Sequence, residues 1–310
     1  MTTQAAIFPG QGAQLVGMGK DVAAAHAVAA ETFAQADEII GFELSKLCFE
    51  GPAERLNATD IQQPAIFVTS VALFRAAVDA GRITEADFAA MGGLSLGEYT
   101  ALNLAGAMAF ADALRLVARR GQLMQAAAEQ TAGGMVSWLG LEEDQILALC
   151  ERVAEAGCIR PANYNCPGQI VISGDKPACD AAVALAGEVG GRAIPLPVAG
   201  AFHSELMRSA AEGLRPELEA CEFHTPRVRV IANVDAEYHR DPAGIRTALY
   251  QQVCSPVRWQ ACVERLIADG AAAFWEIGPN RHLTGMMRKI NRRMPTTNIG
   301  TLEDLVPASG

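Results

Sequence analysis

A serine set between two glycines constrains this chain more than any other feature. The segment Gly92-Gly93-Leu94-Ser95-Leu96-Gly97-Glu98 contains GxSxG, preceded by the apolar run Phe88-Ala89-Ala90-Met91 and followed by residues 98–111, which read as a helix. A serine on such a strand-to-helix turn commits the chain to an α/β architecture, because the strand must be buried in a sheet and the helix must pack back over it. Gly93 and Gly97 carry no β-carbon, so they can flank a strained serine while strand and helix approach closely. The free N–H groups at the helix start then face any negative charge that develops beside the serine. Ser95 is the candidate nucleophile.

The rest of the chain supplies the layers such a turn needs. Residues 4–8 read as a first strand, followed by the tight loop Pro9-Gly10-Gln11-Gly12, whose glycines suggest backbone close to a ligand, and then by helical residues 21–40. A long helical stretch opens at Gln63-Pro64 and runs to 78, another spans 112–129, and 228–232 and 272–277 read as buried strands. This alternation predicts a mainly parallel sheet. Between these parts the texture changes to strand 135–139, helix 142–156, strands 159–164 and 169–173, helix 176–189 and strand 192–196. The order βαββαβ predicts a ferredoxin-like subdomain at residues 133–197, inserted into a discontinuous large domain of residues 1–132 and 198–310.

Composition excludes several classes of function. A formal charge of -10 argues against nucleic acid, whose phosphates require a basic face. The start Met1-Thr2-Thr3-Gln4-Ala5 lacks the basic and apolar regions of a leader, and no apolar run reads as long enough to span a bilayer, so a soluble cytoplasmic chain is expected. The eight cysteines are scattered, with no CxxC pair and no clustering with histidine, which predicts reduced, mostly buried thiols and no metal site. One segment opposes the acidic balance. Met286-Met287-Arg288-Lys289-Ile290-Asn291-Arg292-Arg293 is either a solvated helix face or a docking site for an acidic or phosphate-bearing partner.

A serine nucleophile needs a base, and the chain has His26, His203, His224, His239 and His282. His203, in Gly200-Ala201-Phe202-His203-Ser204, follows the subdomain boundary, where an interdomain cleft is expected. His282 is its rival: the chain order of α/β-hydrolases, nucleophile then acid then histidine, would select His282 with Asp235.

Several motifs then resemble one family. They are Ile7-Phe8-Pro9-Gly10-Gln11-Gly12-Ala13-Gln14, the serine segment 93–102, Arg120-Gly121 with Met124 and Gln125, Asn163-Tyr164-Asn165-Cys166-Pro167-Gly168-Gln169, Phe202-His203-Ser204 with Leu206-Met207, and Gln252 with Pro256-Val257. In this order, over residues 7–293, they resemble the malonyl-CoA:acyl carrier protein transacylases. The resemblance implies an α/β-hydrolase-like large domain, a ferredoxin-like insert and an active site in the gorge between them. It implies that Ser95 attacks the thioester, that His203 takes its proton, and that the backbone N–H groups of Gln11 and Leu96 hold the oxyanion. No acidic residue stands out as a third member; the resemblance has backbone carbonyls near Gln252 orient the histidine, with Gln252 in support.

By the same resemblance Arg120 binds the free carboxylate of the malonyl group, Phe202 leaves little room for a methyl branch, and Asn163 belongs to the polar shell. Arg119, adjacent but pointing elsewhere on a helix, reads as a surface residue or as a candidate for phosphate contact. No metal or redox cofactor is implied; the substrates are malonyl-CoA and the phosphopantetheine thiol of acyl carrier protein, handled by a monomer in ping-pong fashion, most naturally in fatty-acid synthesis. Arg288, Lys289, Arg292 and Arg293 become the docking surface for carrier or CoA phosphates. Leu94 departs from the family, where histidine usually precedes the nucleophile. The competing readings are a trans-acting acyltransferase of a polyketide pathway, a serine esterase or thioesterase, and a non-catalytic docking module.

Overall fold

The computed structural model of the chain describes residues 3–306. Met1 and Thr2 of the N-terminal segment, and residues 307–310 of the expected large domain, lie outside the described residues. In chain order the strands are β1 (Gln4–Phe8), β2 (Phe88–Gly93), β3 (Gly133–Leu139), β4 (Ile159–Cys166), β5 (Gln169–Asp175), β6 (Arg192–Pro195), β7 (Arg229–Val230), β8 (Ala273–Ile277) and β9 (Thr296–Ile299). They form a five-stranded sheet in the order β7-β2-β1-β8-β9 and a four-stranded sheet in the order β4-β5-β3-β6. All pairings in the first are parallel, and all in the second are antiparallel.

The parallel sheet is buried on both faces, as parallel sheets are. Along β1 the side chains alternate: Ala6 and Phe8 enter a cluster with Phe67, Val71 and Phe74, whereas Ala5 and Ile7 enter another with Trp259, Phe274 and Leu283. Trp138, Leu149 and Ile172 centre a third cluster, which belongs to the antiparallel sheet. The edge strand β4 of the antiparallel sheet pairs with one loop residue, Val257, which lies outside both sheets. The Val257 N–H donates to the Ala162 carbonyl at 2.8 Å, and the Tyr164 N–H donates to the Val257 carbonyl at 2.9 Å. That junction fixes β4 beside the end of the helix Pro242–Gln252.

Several expectations are corrected. The helix after the serine ends at Leu104 rather than 111: Gly106 takes a φ of 78°, Ala107 N–H bonds back to the Leu102 carbonyl at 2.8 Å, and a new helix, Phe110–Gln130, begins. Residues 21–40 are two helices, Lys20–Ala25 and Ala27–Ile40, interrupted by extended His26. The strand expected at 228–232 is reduced to Arg229–Val230; the Ile231 N–H still reaches the Met91 carbonyl at 3.0 Å, but Ile231 then bridges antiparallel to Tyr238. In the antiparallel unit the helix expected at 142–156 stops at Arg152 before a short 3-10 turn, and 176–189 splits into Lys176–Ala184 and Ala186–Val189. Strand β9 was not anticipated. Nor was the length of the apolar helix Thr59–Asp79, which is long and apolar enough to cross a bilayer; 89% of its most apolar stretch is buried inside the molecule, as befits a central core helix.

Candidate active site

Strand β2 delivers the chain to Ser95, whose φ of 51° and ψ of -99° place the strain on the serine itself. Two polar side chains hold it there. The Ser95 N–H donates to Asn233 Oδ1 at 2.6 Å while Asn233 Nδ2 donates to the Gly93 carbonyl at 2.8 Å, and the Ser95 carbonyl accepts from Gln252 Nε2 at 3.1 Å. The flanking glycines are required by packing. A β-carbon on Gly93 would lie 2.0 Å from the Gly97 carbonyl carbon, and one on Gly97 would lie 2.1 Å from the Phe8 carbonyl oxygen.

Of the two candidate bases, His203 is the one brought to the serine, with Nε2 2.8 Å from Ser95 Oγ. Its Nδ1–H donates to the Gln252 backbone carbonyl at 2.8 Å, which leaves Nε2 free to accept the serine proton. His203 also has a positive φ, 58°, in the short loop before the 3-10 turn Glu205–Met207. Burial, reinforced by the positive charge of Arg120, lowers its pKa from 6.5 to about 4. His282 lies exposed at the mouth of the same cleft, and Asp235 is an exposed turn residue whose carboxylate accepts from the Glu237 N–H at 3.0 Å.

Arg120 is 1% exposed, and burial pushes its pKa down. Its Nη2 donates to Ser95 Oγ at 3.0 Å and to Gln252 Oε1 at 3.1 Å, and its Nη1 donates to Gln63 Oε1 at 2.5 Å. Its Nε has no partner among the described residues. Gly121 explains how the group gets there: a β-carbon would meet the Thr59 carbonyl at 2.8 Å, so glycine lets the helix Phe110–Gln130 sit against Thr59–Asp79 and set Arg120 beside Gln63. Arg119, the neighbour, turns to the surface and pairs with Glu217 at 3.3 Å.

A cleft of about 480 Å³ opens between the two sheets in front of Ser95 and His203. Gln11, Asn163 and Phe202 line it, and Leu94 forms an apolar part of the wall. The backbone N–H groups of Gln11 and Leu96 have no acceptor among the described residues. Arg288, Lys289, Arg292 and Arg293 are exposed and enter no ion pair among the described residues. Arg288 and Lys289 end the helix His282–Ile290, Arg292 and Arg293 lie in the turn after it, and its first turns reach the cleft through His282, Leu283 and Met286. All eight cysteines are free and mostly buried, with Cys158 exposed and Cys221 half-buried. Among the described residues no group of histidine, cysteine and acidic side chains could hold a metal ion.

Glu98, Asn233, His239 and Gln63 were not anticipated. Glu98 is fully buried and accepts from the Asn233 N–H at 2.9 Å, from Gln252 Nε2 at 2.8 Å and from His239 Nε2 at 2.9 Å. A glutamate inside the apolar run Leu96-Gly97-Glu98-Tyr99-Thr100-Ala101-Leu102 was the available signal for it. No comparable signal marked Asn233 or His239.

This geometry has known counterparts. The chain matches the acyl transferase domain family over residues 6–303. It is 43% identical over 307 residues to the malonyl CoA-acyl carrier protein transacylase of Bacillus subtilis (strain 168), covering 98% of this chain and 96% of that one. It is 43% identical over 291 residues to the protein of that name from Escherichia coli (strain K12), covering 94% and 93%. Among solved structures, an acyl carrier protein S-malonyltransferase from Vibrio cholerae matches with a TM-score of 0.93 at 41% identity, covering 98% of this chain and 99% of that one. A malonyl-transacylase in complex with its type II PKS acyl-carrier protein matches with a TM-score of 0.94 at 39% identity, covering 98% of each chain.

Proposed function

We propose from its family, for the chain belongs to the acyl transferases and within them to the malonyl-CoA:acyl carrier protein transacylases, that it moves a malonyl group from malonyl-CoA to acyl carrier protein. The observation that carries the reading is the buried contact of Ser95 Oγ with both the His203 imidazole and the Arg120 guanidinium.

His203 Nε2 takes the Ser95 proton as Oγ attacks the thioester carbonyl, and the Gln252 carbonyl steadies the imidazolium through Nδ1–H. The Gln11 and Leu96 N–H groups stabilise the tetrahedral oxyanion, the second of them at a helix start where the backbone dipole adds to it. Collapse expels CoA as a thiol, which receives the proton from His203. A malonyl-serine ester remains. The carrier's phosphopantetheine thiol then gives its proton to His203, attacks the ester, and returns Ser95 as a hydroxyl.

Arg120 provides the selectivity. Its buried guanidinium sets a positive charge and N–H donors, the unpartnered Nε among them, before the malonyl carboxylate, and an acetyl donor leaves that charge without an ionic partner. By analogy with broken buried pairs this costs about 3–5 kcal/mol, or two to three decades in rate. A second effect has the same sign. Arg120 depresses the His203 pKa, so a carboxylate bound to Arg120 cancels that charge and makes His203 a stronger base when the correct donor is present. Phe202, 4% exposed beside His203, limits branching at the acyl α-carbon, and Asn163 contributes to the polar wall.

In the same reading residues 1–132 and 198–310 form an α/β-hydrolase-like unit and residues 133–197 a ferredoxin-like one; the strand order β4-β5-β3-β6 supports the latter. The exposed basic residues Arg288, Lys289, Arg292 and Arg293 dock the acidic carrier beside the cleft. The compartment is the cytoplasm and the pathway fatty-acid synthesis. Intact-protein mass spectrometry after mixing with malonyl-CoA, followed by addition of holo-carrier protein, tests the reading. A malonyl adduct that the carrier discharges supports it; no adduct, or discharge by water alone, refutes it.

A further inference from the structure

Glu98 is a fully buried carboxylate that takes no part in the chemistry above, yet it bonds to Gln252 and Asn233, the two residues that hold Ser95. Its Oε2 accepts from Gln252 Nε2 at 2.8 Å and from the Asn233 N–H at 2.9 Å. An ionised carboxylate can only accept hydrogen bonds, so it forces the Gln252 amide to turn its NH2 group inward. The same Nε2 reaches the Ser95 carbonyl at 3.1 Å, and the amide oxygen is left to receive Arg120 Nη2 at 3.1 Å. A reversed amide would set NH2 against the guanidinium and oxygen against the carboxylate, with donor facing donor and acceptor facing acceptor.

The other Glu98 oxygen, Oε1, is held by His239 Nε2 at 2.9 Å, and both side chains are 1% exposed. His239 comes from the same excursion that supplies Asn233. After β7 the chain bridges Ile231 to Tyr238, and the His239 N–H returns to the Val230 carbonyl at 2.9 Å. The remaining titratable groups that feel Glu98 are Arg120, Tyr99 and Cys262, all buried. None of them donates a hydrogen bond to Oε1. Removing the His239 donor leaves Glu98 Oε1 buried without a partner and frees the carboxylate to turn, which loosens its hold on Gln252 Nε2. With that hold loosened the amide can turn over, and Arg120 loses its acceptor.

We propose that His239 is a positioning residue for acyl selectivity, acting through Glu98 to fix the Gln252 amide in the orientation that presents its oxygen to Arg120. The inference rests on the malonyl-transfer reading. It separates two properties of the site: His203 is held by the Gln252 backbone carbonyl, which an amide reversal does not move, whereas Arg120 is held in part by the Gln252 side chain. Loss of His239 should therefore weaken recognition of the malonyl carboxylate more than it slows acyl transfer, because the amide gives up its bond to the Ser95 carbonyl while the His203 pairing stays.

The test compares wild type with His239→Leu, His239→Gln and Glu98→Gln, each assayed with malonyl-CoA and acetyl-CoA as donors and holo-carrier protein as acceptor. In His239→Leu the KM for malonyl-CoA rises about tenfold, the order expected for one lost hydrogen bond to a charge, and the malonyl-over-acetyl ratio of kcat/KM falls by a similar factor. The kcat with acetyl-CoA falls less than the selectivity ratio does, by the loss of the Gln252 bond to the Ser95 carbonyl alone. His239→Gln, whose amide NH2 can reach Glu98, restores the ratio. Glu98→Gln, nearly isosteric, lowers the ratio as His239→Leu does, and decides the matter should the leucine variant fail to fold. An unchanged ratio in either disruptive variant, an equal loss with both donors, or a glutamine variant no better than leucine overturns the inference. A wild-type protein that forms no malonyl adduct overturns the malonyl reading and this inference with it.

Discussion

Arg120 and Arg288 carry the same guanidinium, and the molecule treats them in opposite ways. Arg120 is 1% exposed, hydrogen-bonded to Ser95, Gln252 and Gln63, and stacked over the Tyr99 ring at 5.3 Å. Arg288 is exposed, with Lys289, on the outer end of a helix whose first turns reach the cleft, and Arg292 and Arg293 are exposed in the turn that follows it. In the buried setting water cannot compensate the charge, so an acyl carboxylate that does so is strongly distinguished from one that is absent. In the exposed setting each charge is screened, acts mainly on encounter and is worth little singly. On the proposed reading, one residue type supplies discrimination inside and steering outside.

The largest expected effect lies wholly on the buried side. Ser95→Ala removes the atom that both His203 and Arg120 contact, and acyl transfer should fall by several decades in a single-turnover assay. Arg120→Met comes next. The kcat/KM for malonyl-CoA should drop by about two to three decades while acetyl-CoA changes far less, which a side-by-side donor assay measures. If Arg120→Met lowered both donors equally, the buried arginine would be scaffolding and the comparison would break.

The pH dependence sharpens the same contrast. His203 works as a base only when neutral, so with its pKa lowered to about 4 the kcat/KM of the wild type should hold through mildly acidic pH and decline as pH falls through about 4. Arg120→Met removes a like charge, which eases protonation of His203 and moves this acid limb to higher pH. Stability follows with the sign that linkage requires: the unfolded histidine, near 6.5, binds protons more readily, so the contribution present above 6.5 is lost as pH falls toward about 4. An acid limb at the ordinary histidine value, unmoved by Arg120→Met, would contradict the buried-charge account.

The smallest effect belongs to the surface. Reversing Arg288 and Lys289 to glutamate should raise the KM for carrier protein several-fold and flatten its dependence on ionic strength, leaving acylation by malonyl-CoA intact. A variant that lost the acylation step instead would show that this helix supports the cleft rather than the partner.

How much of this was legible in the sequence depended on distance along the chain. The Ser95 turn is a local arrangement of strand, glycines and helix, and local patterning is what a sequence displays directly. Arg120 and His203 could be weighed because each sits in a short motif with its own neighbours. The support around Glu98 could not, since Glu98 is 141 positions from His239 and 154 from the amide of Gln252, and only folding joins them. The same reason hid Gln63, which meets Arg120 from 57 positions away. Boundaries failed where a single residue changes direction. Gly106 ends a helix whose apolar pattern continues, and Ile231 leaves a strand after two paired residues because its next partner is Tyr238.

The most direct test is peptide-level mass spectrometry of the chain quenched within its first turnover of malonyl-CoA, run beside Ser95→Ala and His203→Ala. The account predicts one malonyl group on the peptide that contains Ser95, none in Ser95→Ala, and strongly slowed acylation in His203→Ala. Malonyl carried by another residue, or acylation of Ser95 at an undiminished rate without His203, would contradict it.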